Sequence, residues 1–438
     1  MKLTIKAISL LLLVTMALCT LSGCSDAPLP TEPTKDESPL FSSSSKESFP
    51  SKPAEQSSAE LSSELPVDPP FLKEFVTEDD LIGAVYCSTY GDLKEHFRNE
   101  GQKGKEDMTY EWKHESGGTL VVKLGFPTSF HITLSEYVIK SMKLLPNDSI
   151  SPVKIGVKIR AGAHAEEVAT DIINGLDLSG DLVKDAMYNY DFTQMDYWFY
   201  PLIPESDMNL PEYAGCGLEG YLPGGWYFVN EFDKENEAES RAAIAELLCA
   251  QLSRFNETVS ENTLKEHQEY MAKYYPGVPC AKTFTELLTM ASLIQADGIG
   301  RPDLYPTIAA IYFKRLGAKS YENIKSRLCS PAALYFEVYK KTGLHGIVEG
   351  LISGEYDHYD FVFNTFNQAG IPPSPVCSPS PEALAAAVNP QKDCTYYYYA
   401  PVPWDQNTTP VSYYFADTAE EFIADCKKTD WKVLPETK

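Results

Sequence analysis

The chain changes character abruptly near residue 70. Residues 25–70 are crowded with serine, proline and glutamate, including SSSS at Ser42–Ser45, and hold few aliphatic or aromatic side chains. So little apolar surface cannot offset the entropy of ordering a backbone, so residues 24–70 read as a disordered tether. The fold must come from the residues beyond it. Roughly 370 residues remain after that point, more than one compact core usually takes, which implies two or three subdomains. A tether of this composition gives reach to whatever it carries.

The residues before the tether set the expected compartment. Lys2 and Lys6 precede an apolar run, Ala7–Leu21, which is short for a membrane span and of the length of a signal h-region. It closes on LSGC, Leu21–Cys24, which resembles the bacterial lipobox, whose cysteine is acylated. The expectation is a lipoprotein signal peptide over residues 1–23 and lipidation at Cys24. The body would then be lipid-anchored at the cell membrane, facing the extracytoplasmic cell wall. Each buried methylene of such an anchor contributes about 0.8 kcal/mol. An ordinary signal peptide with an incidental cysteine is the alternative.

Charge and cysteine usage narrow the chemistry. The net charge is −25, and removal of residues 1–23, which carry two lysines and no acids, takes it to −27. With no basic block to interrupt it, such a surface argues against nucleic acid and anionic lipid as ligands. Ten cysteines and seven histidines are scattered, without a CxxC pair or metal-ligand spacing. No metal, no cofactor and no Cys/His nucleophile pair is expected.

Periodicity places the elements. Residues 71–150 mix short strands and helices around a strand at Val121–Phe126 and form an unassigned N-terminal module. Ile155–Ile159 reads as a strand, 160–162 as a turn, and Ala165, Val168, Ala169, Ile172, Ile173 and Leu176 as a helical stripe. Strand, turn and helix resemble a LysM-like subdomain, bounded at 151–212. Further helices are expected at 239–255, at Pro306–Leu316 before Gly317, and from Ser380-Pro381 to Asn389-Pro390. Thr395–Val402 and Val411–Asp417 read as a hairpin, and Thr418 with Glu421 as the capping box of a last helix. The class is α+β, with a mixed domain over 213–438.

One helix carries a misplaced charge. In LTMASLIQADG, Leu288–Gly298, the residues Met290, Leu293, Ile294 and Asp297 share one face, while Gln295 lies with Leu288 and Ser292. An apolar stripe that ends in an acid is either an ordinary Asp-Gly turn or a carboxyl at the lip of a pocket.

Three blocks bear on that choice. LEGYLPGGWYF (Leu218–Phe228), ASLIQADG (Ala291–Gly298) and FNTFNQAGIPPSPVCSPSPEALAAAVNP (Phe363–Pro390) occur in the order of similar blocks in the YceG-like (MltG) endolytic murein transglycosylases. The resemblance runs from about residue 151 to 427. It implies a LysM-like subdomain followed by a YceG-like catalytic domain, acting on peptidoglycan glycan strands in association with cell-wall synthesis proteins. It places Asp297 where the family has the glutamate that serves as single catalytic acid and base. Glu219, Arg315, Asn364 and Thr365 match family positions and are implied substrate-binding residues. Glu219 also reads as a surface or cap acid, Asn364 as a side-chain-to-backbone bond, and the GIPPSP run as a rigid wall.

Several positions depart from the family pattern. Aspartate replaces glutamate and shortens the acid by about 1.5 Å, where a misplacement near 1 Å can cost ~100-fold in rate. Lys314 stands for an asparagine, Leu328–Ala332 loses a glutamine and an acid, and Gly224–Trp226 replaces a PDT run. The implied activity is lytic cleavage between MurNAc and GlcNAc, closing a 1,6-anhydro ring with one carboxyl and no attacking water, unlike glycoside hydrolysis. The alternative is a catalytically impaired glycan-binding or scaffold lipoprotein of the same fold. A solute-binding lipoprotein would need a parallel α/β pattern that the chain lacks.

Overall fold

The computed structural model describes residues 73–126, 134–147, 152–189, 195–203, 217–321, 324–342, 362–402 and 412–428. The signal segment, Cys24 and the tether lie outside them. Residues 68–438 form one unit, so the three expected parts, 71–150, 151–212 and 213–438, share a body.

A six-stranded antiparallel sheet runs through the first half in chain order: β1 (Gln102–Lys103), β2 (Thr109–Lys113), β3 (Thr119–Gly125), β4 (Val138–Leu145), β5 (Lys154–Ile159) and β6 (Gly225–Asn230). β5 and β6 are far apart in sequence, and between them lie the helices α3 (Ala165–Leu176) and α4 (Gly180–Tyr188). Ile155 pairs with Val229 and Val157 with Tyr227. The β-α-α-β unit therefore runs on through the LEGYLPGGWYF block to Asn230.

β6 explains why no boundary separates the parts. Trp226 and Phe228 point into a cluster with Leu81, Leu93, Phe97, Trp112, Leu120 and Met142. Tyr227 and Val229 point the other way, into the main core with Val157, Ile159 and Ile172. The two-residue alternation of a strand thus fastens two cores through one element. On the first side the sheet is covered by α1 (Glu78–Gly83) and α2 (Tyr90–Phe97), each opened by a threonine capping box at Thr77 and Thr89.

The main core is helical. α5 (Glu237–Thr258) starts at Asn236, whose side chain accepts from the Ala238 and Glu239 amides, and buries Ile244, Leu247, Leu248, Leu252 and Phe255. α6 (Thr263–Tyr274), α8 (Tyr305–Gly317), α9 (Pro331–Thr342) and α10 (Pro381–Val388) surround α7 (Phe284–Asp297). The stripe expected on α7 turns out to be a fully enclosed helix, since every residue from Leu287 to Gln295 is buried. Each large apolar side chain there contributes about 1.5–3 kcal/mol by burial, so packing rather than intrinsic helicity holds α7 in place. Leu293→Ala would cost about 2–5 kcal/mol.

The chain closes with a hairpin, β7 (Tyr398–Val402) against β8 (Ser412–Ala416), pairing Tyr399 with Phe415, and with α11 (Ala419–Lys428). Thr418 and Glu421 form the expected reciprocal cap. Six cysteines among the described residues (Cys87, Cys249, Cys280, Cys329, Cys377 and Cys394) are free thiols.

Candidate functional site

Asp297 is the last residue of α7, and the helix is fixed along its whole length. Thr283 caps its start by accepting from the Glu286 amide at 3.1 Å. On the back face the segment 376–380 is bolted to it. The Val376 amide donates to Ser292 Oγ at 3.0 Å, the Ser380 amide donates to Gln295 Oε1 at 3.0 Å, and the Cys377 thiol donates to the Ser292 carbonyl at 3.3 Å. The GIPPSP run thus leads into a wall behind the helix. Gly298 stops α7 at a close approach. A β-carbon there would lie 2.8 Å from two ring atoms of Tyr305 and 2.9 Å from the Ile294 carbonyl oxygen.

Four elements converge on Asp297. Tyr312 from α8 donates its hydroxyl to Oδ2, and Ser330, just before α9, donates its hydroxyl to the same oxygen. The Ala332 amide, in the first turn of α9, donates to Oδ1 at 3.2 Å. Tyr399 from β7 stands behind Tyr312, hydroxyl to hydroxyl at 2.7 Å. Tyr413 from β8 donates to the Asp297 main-chain carbonyl at 3.0 Å, an acceptor that the helix end leaves without a helical partner. Tyr312 is fully buried and Tyr399 nearly so, while Asp297 itself is half-buried. The carboxyl therefore lies in a crowded recess between α7, α8, α9 and β7.

Two opposing effects act on its acidity. Desolvation, the larger, raises the pKa above the ordinary aspartate value; the hydrogen bonds from Ser330, Tyr312 and the Ala332 amide, with Tyr399 behind them, pull it down. Desolvation wins. The result is a carboxyl that holds its proton more tightly than a free aspartate and is met by ready donors once the proton leaves. That pairing suits a group that gives a proton and takes one back.

The other expected site residues separate into different places. Thr365 is buried behind Ser330, accepting from its amide at 2.8 Å and donating to its carbonyl at 3.2 Å. It therefore sets where the Ser330 hydroxyl sits. Asn364 is buried beside it, its Oδ1 accepting from the Phe366 amide at 3.2 Å, so it shapes the local turn. Arg315 is buried with Nε on the Tyr397 carbonyl at 2.6 Å and Nη1 on the Leu328 carbonyl. Its guanidinium ties the start of β7 to the loop before Ser330 and lies 5.8 Å from the Tyr399 ring. Lys314 works alongside it, with Nζ donating to the carbonyls of Cys394, Thr395 and Tyr396.

Glu219 is enclosed elsewhere. It is 8 % exposed and accepts from the Ala165 amide, at the N-terminus of α3, with both oxygens at 3.2 and 3.1 Å. Desolvation pushes its pKa up to about 7, with Lys340 opposing and Glu166 and Glu167 adding to the rise. Lys340 in turn bonds Glu166 at 3.2 Å across α9 and α3. The thiol of Cys377 senses the charges of both Glu219 and Asp297, so the two carboxyls flank the same wall.

Sequence reasoning missed Tyr312, Tyr399, Tyr413 and Ser330. The four successive tyrosines Tyr396–Tyr399 give no polar–apolar contrast from which to read the inward face. For Ser330-Pro331 the signal was present: a serine followed by proline opens a helix as cap and first residue. The Ala333 amide does donate to Ser330 Oγ, at 3.3 Å.

The sequence profile of the YceG-like family matches residues 129–428. Endolytic murein transglycosylases of two Streptococcus pneumoniae strains, D39 and R6, are each 26% identical over 225 residues, which is 51% of this chain and 34% of the relative. The matched part thus spans about a third of those relatives' length. A crystal structure of a yceG-like protein from Listeria monocytogenes aligns at a TM-score of 0.41 and 20% identity, covering 63% of this chain and 77% of that one.

Proposed function

This chain belongs to the YceG-like family, and on that premise we propose that it is a cell-wall lytic transglycosylase acting on nascent peptidoglycan strands, with Asp297 as acid and then base. One observation carries the reading: a carboxyl raised in pKa by desolvation ends α7 with hydroxyl donors arrayed on Oδ2. Protonated Asp297 gives its proton to the oxygen that leaves with GlcNAc as the bond to MurNAc C1 breaks. The carboxylate then takes the proton of the MurNAc 6-hydroxyl as that oxygen bonds C1. Asp297 ends as it began, no water is consumed, and the product carries a 1,6-anhydro end. Among the described residues no second carboxyl joins the hydrogen-bond group around Asp297, in keeping with a one-acid route. Mass spectrometry of purified peptidoglycan after incubation with the protein should find anhydro-MurNAc ends. Their absence, with glycan still bound, would favour the scaffold reading instead.

We further propose export and lipid anchoring through Cys24, with the body held near cell-wall synthesis proteins. The LSGC motif supports the anchor. Cys24→Ala should move the protein out of the membrane fraction, and unchanged fractionation would remove the anchor from the proposal.

A further inference from the structure

The hydroxyls around Asp297 do not treat its two oxygens alike. Among the described residues, Oδ2 receives Tyr312 and Ser330, whereas Oδ1 receives the Ala332 amide, at 3.2 Å. A phenol has one proton and two lone pairs. Since Tyr312 directs its proton at Asp297 Oδ2, its bond of 2.7 Å to Tyr399 is donated by Tyr399. The chain of donation therefore runs one way, from Tyr399 to Tyr312 to Oδ2. Ser330 fits the same logic, because its oxygen is occupied by the Ala333 amide while its proton goes to Oδ2.

We infer that Tyr312 and Tyr399 are positioning residues that, with Ser330, pin Oδ2 of Asp297 and leave Oδ1 as the oxygen that exchanges protons with substrate. A proton on Oδ2 would face two incoming donor protons, so the acidic proton resides on Oδ1, which keeps a lone pair beyond the Ala332 amide. The two bonds also fix the plane of the carboxyl, whose terminal torsion is otherwise broad. The assignment of Oδ1 to substrate rests on the acid–base role proposed for Asp297; the pinning of Oδ2 does not.

The surrounding groups leave this arrangement intact across the usable pH range. Burial and the neighbouring Asp297 charge push both phenols far above their ordinary values, so they remain donors. Tyr413, on the main-chain carbonyl, is pushed up as well by its burial. Cys377 stays a thiol behind α7 for the same reason. The cations nearby are Arg315, against the Tyr399 ring, and Arg301, which pairs with Asp303 at 2.7 Å and lies 5.9 Å from the Tyr413 ring.

The test reads the Asp297 carboxyl itself. Carbon-13 labelling of aspartate side-chain carboxyls, with Asp297→Asn to assign the signal, gives its titration midpoint by NMR without any turnover. Tyr312→Phe deletes a donor to the charged form and should raise that midpoint by about one pH unit, a tenfold change in proton affinity. Tyr399→Phe leaves the Tyr312 bond but removes its support, and should shift the midpoint the same way by less. The pH profile of anhydro-end formation should move in parallel. A folded Tyr312→Phe protein with an unchanged midpoint overturns the inference, and if that variant fails to fold, Tyr399→Phe decides by the same criterion. Shifted midpoints in a protein that forms no anhydro ends would uphold the pinning and defeat the transglycosylase reading.

Discussion

Asp297 and Glu219 each place a carboxyl at the N-terminus of a helix, Asp297 on the Ala332 amide of α9 and Glu219 on the Ala165 amide of α3. A helix N-terminus favours the ionised form of each. Burial nonetheless raises both above their ordinary values. Their remaining partners differ. Asp297 is met by neutral hydroxyls, so it can change charge without breaking an ion pair. Glu219 is enclosed among Lys340, Glu166 and Glu167, ions that join α3 to α9. A shifted pKa is therefore a poor guide to chemistry alone. What separates the two is the set of partners: uncharged hydroxyls at Asp297, charged side chains around Glu219.

The largest effect that would sharpen this contrast is at Asp297. Asp297→Asn removes the acidic proton while keeping shape, and should lower anhydro-end formation by on the order of 10²–10⁴-fold. Asp297→Glu adds a methylene under Tyr312 and Ser330, and overpacking costs about 1–3 kcal/mol. It should reduce activity by about tenfold or more, assayed on the same glycan. A gain with glutamate would mean that the recess has kept room for the longer acid.

Glu219→Gln should act on stability and its pH dependence. The folded pKa of about 7 lies above the ordinary 4.5, so the folded protein binds this proton more tightly than the unfolded chain. The stability gained from it is present in full below pH 4.5 and is lost as pH rises through 7. Across that window the parent protein should lose about 3 kcal/mol relative to Glu219→Gln, as read by denaturant unfolding at each end. Parallel pH trends in the two proteins would break the comparison, because Glu219 would then titrate as an exposed acid does.

Where the sequence is locally consistent, the fold could be read from it. α3, α5, α8, α10, the hairpin and the last cap lie where periodicity and capping residues put them, since such signals are written within a few residues of where they act. The family blocks likewise drew attention to Asp297. What escaped depends on distant pairing. β6 joins β5 across two helices, and no local pattern announces that Trp226 and Tyr227 serve different cores. α7 is enclosed on every side, so the stripe that seemed to define an inner face was only part of its buried surface. The recess around Asp297 draws on α8, α9, β7 and β8 at once, and a tyrosine in an apolar helix or a tyrosine-rich strand looks like core until its hydroxyl finds a partner. Arg315, matched to the family by position, turned out to bind backbone carbonyls because it lies beneath β7.

The smallest effect expected is at Thr365, and it separates the Asp297 side of the comparison into parts. Thr365→Val keeps the volume and removes both bonds to the Ser330 backbone, each worth about 0.5–1.5 kcal/mol net. The Ser330 amide would lose its 2.8 Å acceptor in a buried setting, so the loop before α9 should relax and carry the serine hydroxyl away from Oδ2. Tyr312 still holds that oxygen, which limits the damage. The variant should unfold at slightly lower denaturant and turn over a few-fold more slowly, with KM nearly unchanged, because the Thr365 hydroxyl lies behind Ser330 and bonds its backbone. A rise in KM with kcat intact would instead put Thr365 in contact with the glycan, as its match to the family pattern implied, and would place the substrate against the loop at 363–366.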